Sequence, residues 1–200
     1  MMKTLLLTGF EPFLHFKKNP TMEIIKELDG QVIGEWKIAG RIMEVDFHKS
    51  GDQVIGYYEK VKPDAVISLG LAGGRTHITP ERIAINCNDG EKDNSGFAPA
   101  GEKIADEGPD GIFSTLPINA MVQHLHEKDY PASISNSAGT YLCNHVMYRM
   151  LHHLQQEGRN IPSGFIHIPA SHDMAVESRR LPSWSQSDLT AAIRLCIEVL

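Results

Sequence analysis

The chain has 200 residues, a formal net charge of −6 with neutral histidines, 42% hydrophobic and 22% charged residues. This length suggests one domain over 1–200, or at most one and a half, with a core that needs no disulfide or metal staples. An acidic balance without clustered Lys or Arg argues against a nucleic-acid partner, and no apolar run of about 18 residues is present to cross a membrane as a helix.

The opening segment Met1–Gly9 carries an apolar run too short for a signal peptide, with Glu11 and Pro12 following at once, so Leu5–Thr8 is expected as a buried first strand. Asn19 and Pro20 then form a cap and first helical position, predicting a helix over Thr21–Leu28. A strand is predicted over Lys37–Val45, a helix over His48–Val61 ended by Pro63, and a fully buried strand over Ala65–Leu69. Arg82–Cys87 reads as another strand. Asn88–Gly111 is almost devoid of large apolar residues and reads as a long polar loop, a candidate lid. Helical spacing recurs over Pro117–Lys128, and Ser133–Ser135 is a short strand candidate. Tyr141–Gln156 is the clearest amphipathic helix, closed by Gly158. Phe165–Ile168 reads as a strand stopped by Pro169, and Ser187–Leu200 as a last helix. Strands alternating with helices imply a mainly parallel central sheet covered on both faces, with ligands bound beyond the carboxyl ends of its strands.

The three cysteines, Cys87, Cys143 and Cys196, are an odd number without tight spacing. This argues against a disulfide framework or a zinc site and fits a reduced, cytoplasmic setting. Cys143 follows the small residues Ser137–Thr140, with Thr140 as N-cap candidate. That would place its thiol in a first helical turn, where the helix dipole and free N–H groups favour thiolate and can hold an oxyanion. The competing reading is a small buried hydrophobe; Cys87 and Cys196, in a strand and on a helix stripe, take that reading.

His167 is a lone polar residue inside a buried strand, either a base facing the crevice or a core histidine bonded to a carbonyl. His145 is a rival base, but residues two apart on a helix do not face each other. His124, His126, His152 and His153 read as solvated helix positions or weak metal pairs. Glu81 can accept from a histidine and fix its tautomer, or pair with Arg82. Gly73-Gly74-Arg75 suggests a close-approach loop with only a weak claim on phosphate. Phe10, Phe13 and Phe16 can wall an apolar pocket or simply pack the first helix on the sheet.

Several segments together resemble the pyrrolidone-carboxylate peptidase (pyroglutamyl peptidase I) family over nearly the whole chain. They are Leu7-Thr8-Gly9-Phe10-Glu11-Pro12-Phe13, Ala72-Gly73-Gly74-Arg75-Thr76, Glu81-Arg82-Ile83-Ala84-Ile85-Asn86, Phe113 to Ile118, Ser135 to His145, and Phe165-Ile166-His167-Ile168-Pro169. The resemblance implies a three-layer α/β/α sandwich and a cysteine exopeptidase that removes N-terminal pyroglutamate from peptides. It assigns Cys143 as nucleophile, His167 as base, Glu81 as orienting acid, and Phe10 and Phe13 as the pocket for the pyrrolidone ring. It also implies no metal or cofactor, pyroglutamyl peptides as partners, and a homo-oligomer, a tetramer.

The chain departs from the family pattern at Leu71, often Gln, which removes a side-chain hydrogen bond to the ring. It departs again in Asn88-Asp89-Gly90-Glu91-Lys92, where relatives carry an Arg linked to the oxyanion site; Lys92 or the backbone is left to serve. Ala170 replaces a commonly aromatic residue. Two further readings are a nucleoside phosphorylase-like enzyme with Gly73-Gly74-Arg75 on phosphate, and a non-catalytic binder of pyroglutamyl peptides.

Overall fold

Leu5, Leu6 and Leu7 are all fully buried, which requires cover on both faces, as in the centre of a parallel sheet sandwiched by helices. They lie in β1 (Lys3–Phe10), followed by α1 (Pro20–Leu28), β2 (Val32–Ile33), β3 (Trp36–Met43), α2 (Ser50–Val61) and β4 (Ala65–Leu71). Five short strands come next: β5 (Thr79–Pro80), β6 (Ile83–Ile85), β7 (Asn88–Asp89), β8 (Ala100–Glu102) and β9 (Gly111–Phe113). Then come α3 (Ile118–Glu127), α4 (Leu142–Gln156), β10 (Ser163–Ile168), β11 (Ala170–Ser171), α5 (His172–Ser178), β12 (Ser183–Trp184) and α6 (Gln186–Glu198). The computed structural model describes residues 2–13 and 16–200; Met1, with which the expected opening segment begins, lies outside the described residues, as do Leu14 and His15.

The six-stranded sheet has the order β2-β3-β1-β4-β10-β5. β3, β1, β4 and β10 run parallel, and the two-residue strands β2 and β5 close the edges antiparallel. Strand alternation sends Leu5, Leu7, Ile67, Leu69, Ile166 and Ile168 to one face, against α1, α3 and α6. Leu6, Val66 and Phe165 point to the other, against α2 and α4. The result is the three-layer α/β/α sandwich. No helix among the described residues is long and apolar enough to cross a membrane.

Beyond the reach of β2, the outer side of β3 is closed locally. Gln31 and Gly30 bond the backbone of Ile38, the Asp29 carboxylate accepts from Gly40 N at 2.7 Å, and the Tyr57 hydroxyl donates to Ile42 O at 3.2 Å.

Three expectations are corrected. Arg82–Cys87 does not join the main sheet: only Ile83–Ile85 is strand, and it pairs antiparallel with β9. Ser133–Ser135 makes no strand; its neighbourhood offers isolated bridges, Ile78 with Ala132 and Glu81 with Ser135. Asn88–Gly111 is no loose loop but is pinned by buried side chains. Asp93 accepts from the backbone N–H of Phe47, Ser95 and Phe97, and Asn86 bonds Ile104, Ala105 and Gly108. Phe97 packs edge-on to Phe47, with ring centres 6.1 Å apart. These anchors hold the segment against the body of the fold. Helix α5, over His172–Ser178, has no counterpart among the expected elements.

Candidate active site

Gly139, at φ 77°, turns the chain into α4. The cap residue is Tyr141, not Thr140, and it makes no side-chain cap bond. Cys143 is therefore the second residue of the helix, in the turn whose N–H groups lack intrahelical partners. Asn144, fully buried, fastens this turn to β6: it accepts from Ile85 N at 2.8 Å and donates to Ile85 O at 2.9 Å and Cys87 O at 3.0 Å. The thiol fits against β4 because position 70 has no side chain. A Cβ on Gly70 would stand 2.7 Å from Cys143 Sγ and 2.6 Å from Phe165 Cε1.

His167 sits on β10, paired with Gly70 of β4 on one side and Thr79 of β5 on the other. It shares a face with Phe165, towards α4, and the two ring centres are 4.9 Å apart. The antiparallel pairing of β5 carries the chain past β10, and Glu81 N bonds Phe165 O at 2.9 Å. The Glu81 carboxylate, fully buried, then meets His167: Oε1 lies 2.7 Å from Nδ1. The same oxygen accepts from Arg75 Nη1 at 2.7 Å.

Burial alone would raise the Glu81 carboxyl, but the hydrogen bond and charge of His167, then a bond from the Ser135 side chain and last the bond from Arg75, hold it below the usual carboxylate range. An ionised Glu81 places the His167 proton on Nδ1 and leaves Nε2 as the basic nitrogen. Burial lowers the His167 pKa; Glu81 opposes this and Arg75 reinforces it. The Cys143 thiol is pushed up to about 12 by burial and then by the Glu81 charge, against the pull of Arg75 and its own backbone N–H. The expectation of a lowered thiol pKa at the helix terminus is therefore reversed for the free protein: desolvation outweighs the dipole.

Cys143 and His167 open on one cavity of about 170 Å³, lined also by Phe10, Phe13, Val45, Leu71, Ala138, Tyr141 and Leu142, with Asn19 as a further polar residue in its wall. Among the described residues lining it, none is a carboxylate. Leu71 offers it only carbon. Glu91 and Lys92 are exposed; the Lys92 carbonyl accepts from the Tyr141 hydroxyl at 3.1 Å, which ties this turn to the cavity wall.

The remaining candidates are placed elsewhere. Cys196 is buried in the α6 core, and Cys87 is half-buried just beyond β6. His145 is buried with Nδ1 3.0 Å from Asn88 Oδ1, and its pKa is lowered to about 4 by burial and by Arg149. Arg75 is committed to Glu81, Thr79 and Ser137, which leaves the Gly73-Gly74-Arg75 loop no cation for phosphate. The group with metal-ligand chemistry among the described residues is Glu59, His153 and Glu157, with ligand atoms within 4.8 Å of one another. It joins the surfaces of α2 and α4, and none of its residues lines the cavity. The sequence does not mark Arg75 and Gly70 as partners of the site, because the burial of Glu81 and the close approach at position 70 exist only in the folded chain.

A family model described as pyroglutamyl peptidase matches residues 2–200. A pyrrolidone-carboxylate peptidase of Oceanobacillus iheyensis is 55% identical over 199 residues, covering 100% of each chain. One from Halalkalibacterium halodurans is 51% identical over 197 residues and 98% of each. The solved pyrrolidone carboxyl peptidase of Thermococcus litoralis superimposes with a TM-score of 0.95 at 41% identity, covering 99% of this chain and 93% of that one. That of Pyrococcus furiosus does so with 0.95 at 43%, covering 98% and 97%. On sequence and on fold alike, the chain belongs to the pyroglutamyl peptidase family of cysteine peptidases.

Proposed function

We propose that this chain hydrolyses the bond after an N-terminal pyroglutamyl residue, with Cys143 as nucleophile, His167 as general base and acid, and Glu81 as the group that orients His167. The observation that carries this is the meeting of Cys143 and the Glu81-held His167 on one small apolar cavity. His167 Nε2 takes the thiol proton as Sγ attacks the pyroglutamyl carbonyl, and the first-turn N–H groups of α4 stabilise the oxyanion. The exposed Lys92 is not needed for that role. His167 then gives its proton to the departing amine. A water, deprotonated by the same nitrogen, attacks the thioester, and pyroglutamate leaves as the thiol is restored.

Selectivity follows from the wall chemistry. The lactam is neutral, whereas an ordinary N-terminus brings an ammonium into a site lined by Phe10, Phe13 and Leu71 with no carboxylate to receive it. Residues 1–200 act as one catalytic unit without metal or cofactor, in the cytoplasm and as a homo-oligomer, a tetramer by family likeness. The test is incubation with a pyroglutamyl-arylamide, with and without prior iodoacetamide. Release of the arylamine that iodoacetamide abolishes is expected; release that survives complete alkylation of Cys143 overturns the reading.

A further inference from the structure

The Glu81 carboxylate has two claimants on one oxygen, and the reaction as described uses only one. His167 Nδ1 and Arg75 Nη1 each lie 2.7 Å from Oε1. We propose that Arg75 is a positioning residue for this pair: its guanidinium fixes the Glu81 carboxylate and offsets its charge, so that the shared oxygen keeps one orientation toward His167. The inference rests on the reading of Glu81, Cys143 and His167 given above.

The placement of Arg75 supports it. Its Nη1 also donates to Thr79 Oγ1 at 2.6 Å, and its Nη2 reaches Ser137 O at 3.3 Å. The guanidinium therefore ties together the β4–β5 loop, the edge strand beside His167 and the turn that leads into α4 and Cys143. The backbone of Arg75 is itself closed by a bond from its N–H to Ala72 O at 2.9 Å. Arg75 does not line the cavity, so it acts through Glu81 rather than on substrate. Planar, permanently charged guanidinium suits a buried carboxylate better than ammonium does.

Charge balance gives the arrangement its purpose. A fully buried carboxylate with a histidine as sole partner favours Glu⁻–His⁺, because two opposite charges in contact are cheaper in a dry site than one alone. Imidazolium of that kind cannot accept the thiol proton. With Arg75 present, its guanidinium offsets the carboxylate charge that favours imidazolium. The charged and titratable groups facing His167 and Glu81 are Arg75 from the loop after β4 and Cys143 from α4; Arg82 is turned away, onto Asn136 Oδ1 at 2.7 Å. In direction, Arg75 lowers the pKa of both His167 and Cys143. Its loss therefore raises both.

The experiment compares Arg75→Gln and Arg75→Lys with the parent enzyme in two pH profiles: kcat/KM on a pyroglutamyl-arylamide, and the rate of Cys143 alkylation by iodoacetamide followed by mass spectrometry. Alkylation needs no pyroglutamyl turnover, so it separates failure of this inference from failure of the functional reading. In the Arg75→Gln variant the acidic limb of kcat/KM and the alkylation profile both move to higher pH. Activity near pH 7 falls by roughly one to two powers of ten, part of the 10²–10⁴ that a positioned base contributes. The Arg75→Lys variant keeps the acidic limb in place and loses less. Limbs that coincide in all three proteins, or an equal loss in both variants without a shift, overturn the proposal. Should the Arg75→Gln variant fail to fold, Glu81→Gln is compared with the double variant Glu81→Gln/Arg75→Gln, which buries no unpaired charge. The double variant's acidic limb then lies at higher pH than the single's, and coincidence overturns the proposal.

Discussion

Glu81 Oε1 and His167 Nδ1 are 2.7 Å apart although 86 residues separate them in the chain. The antiparallel edge pair β5–β10 makes that meeting, since it delivers Glu81 beside the strand that bears His167. Glu81→Gln keeps the shape but removes the charge that stabilises imidazolium during attack, so it is expected to lower kcat less than His167→Ala, which removes the base and its roughly 10²–10⁴-fold contribution. Steady-state rates of the two variants decide it; a Glu81→Gln enzyme slower than the His167→Ala enzyme overturns the assignment of roles.

The three cysteines should separate cleanly. Cys143→Ser abolishes turnover while the fold is kept, because a hydroxyl yields its proton far less readily than a thiol. Cys87→Ser keeps most activity. Cys196→Ser keeps activity but melts earlier, since its hydroxyl enters a fully buried site on α6 without a partner, a cost of roughly 1–3 kcal/mol. Near-normal turnover by Cys143→Ser sinks the nucleophile.

Phe13→Ala opens one wall of the cavity shared by Cys143 and His167. The loss of a large apolar contact, about 1.5–3 kcal/mol, lowers kcat/KM for pyroglutamyl substrates by roughly one to two powers of ten. Discrimination against peptides with a free N-terminus should weaken at the same time. An unchanged kcat/KM places the ring elsewhere.

Gly70→Ala tests the notch behind the thiol. A methyl there, 2.7 Å from Cys143 Sγ and 2.6 Å from the Phe165 ring, forces one of them to shift. Both belong to rigid elements, so the thiol is displaced and kcat falls by roughly 10²-fold for a misplacement near 1 Å. A Gly70→Ala enzyme with parental kcat shows that the thiol has slack.

His145 makes folding pH-dependent. Its folded pKa is lowered to about 4 by burial first and Arg149 second, from an ordinary 6.5. Between those values the unfolded chain binds a proton that the folded chain refuses, so stability falls as pH drops through that window. The loss reaches about 3 kcal/mol at its acid end. Urea unfolding at pH 7 and pH 5 should show a smaller difference for His145→Gln than for the parent; equal differences remove His145 as the source.

Much of the fold was legible because its signals are local. Asn19 accepts from Thr21 N at the head of α1, as the Asn-Pro pair indicates, and the buried strands carry uninterrupted apolar runs. What was lost depends on distant partners. Ile83, Ala84 and Ile85 have strand character, but nothing in them says that their partner is β9 rather than the main sheet. The polar stretch after Asn88 looks loose only because its anchors, Asn86 and Asp93, hold it through side-chain bonds to backbone rather than by apolar burial. At the site, Glu81, Cys143 and His167 could be singled out by type and setting, whereas Arg75 and Gly70 could not, since their roles exist only where strands and α4 converge.

The outer side of β3 carries a consequence for association between molecules. An exposed strand edge is a template onto which a strand from another chain can add. Here Ile38, Gly40 and Ile42 already spend outward backbone groups on Gln31, Gly30, Asp29 and Tyr57, and the opposite edge is two residues long and ends in Pro80. Lengthening of the sheet from one copy into the next is closed off at both sides. The central sheet itself offers little foothold for strand-by-strand growth or fibrous aggregation.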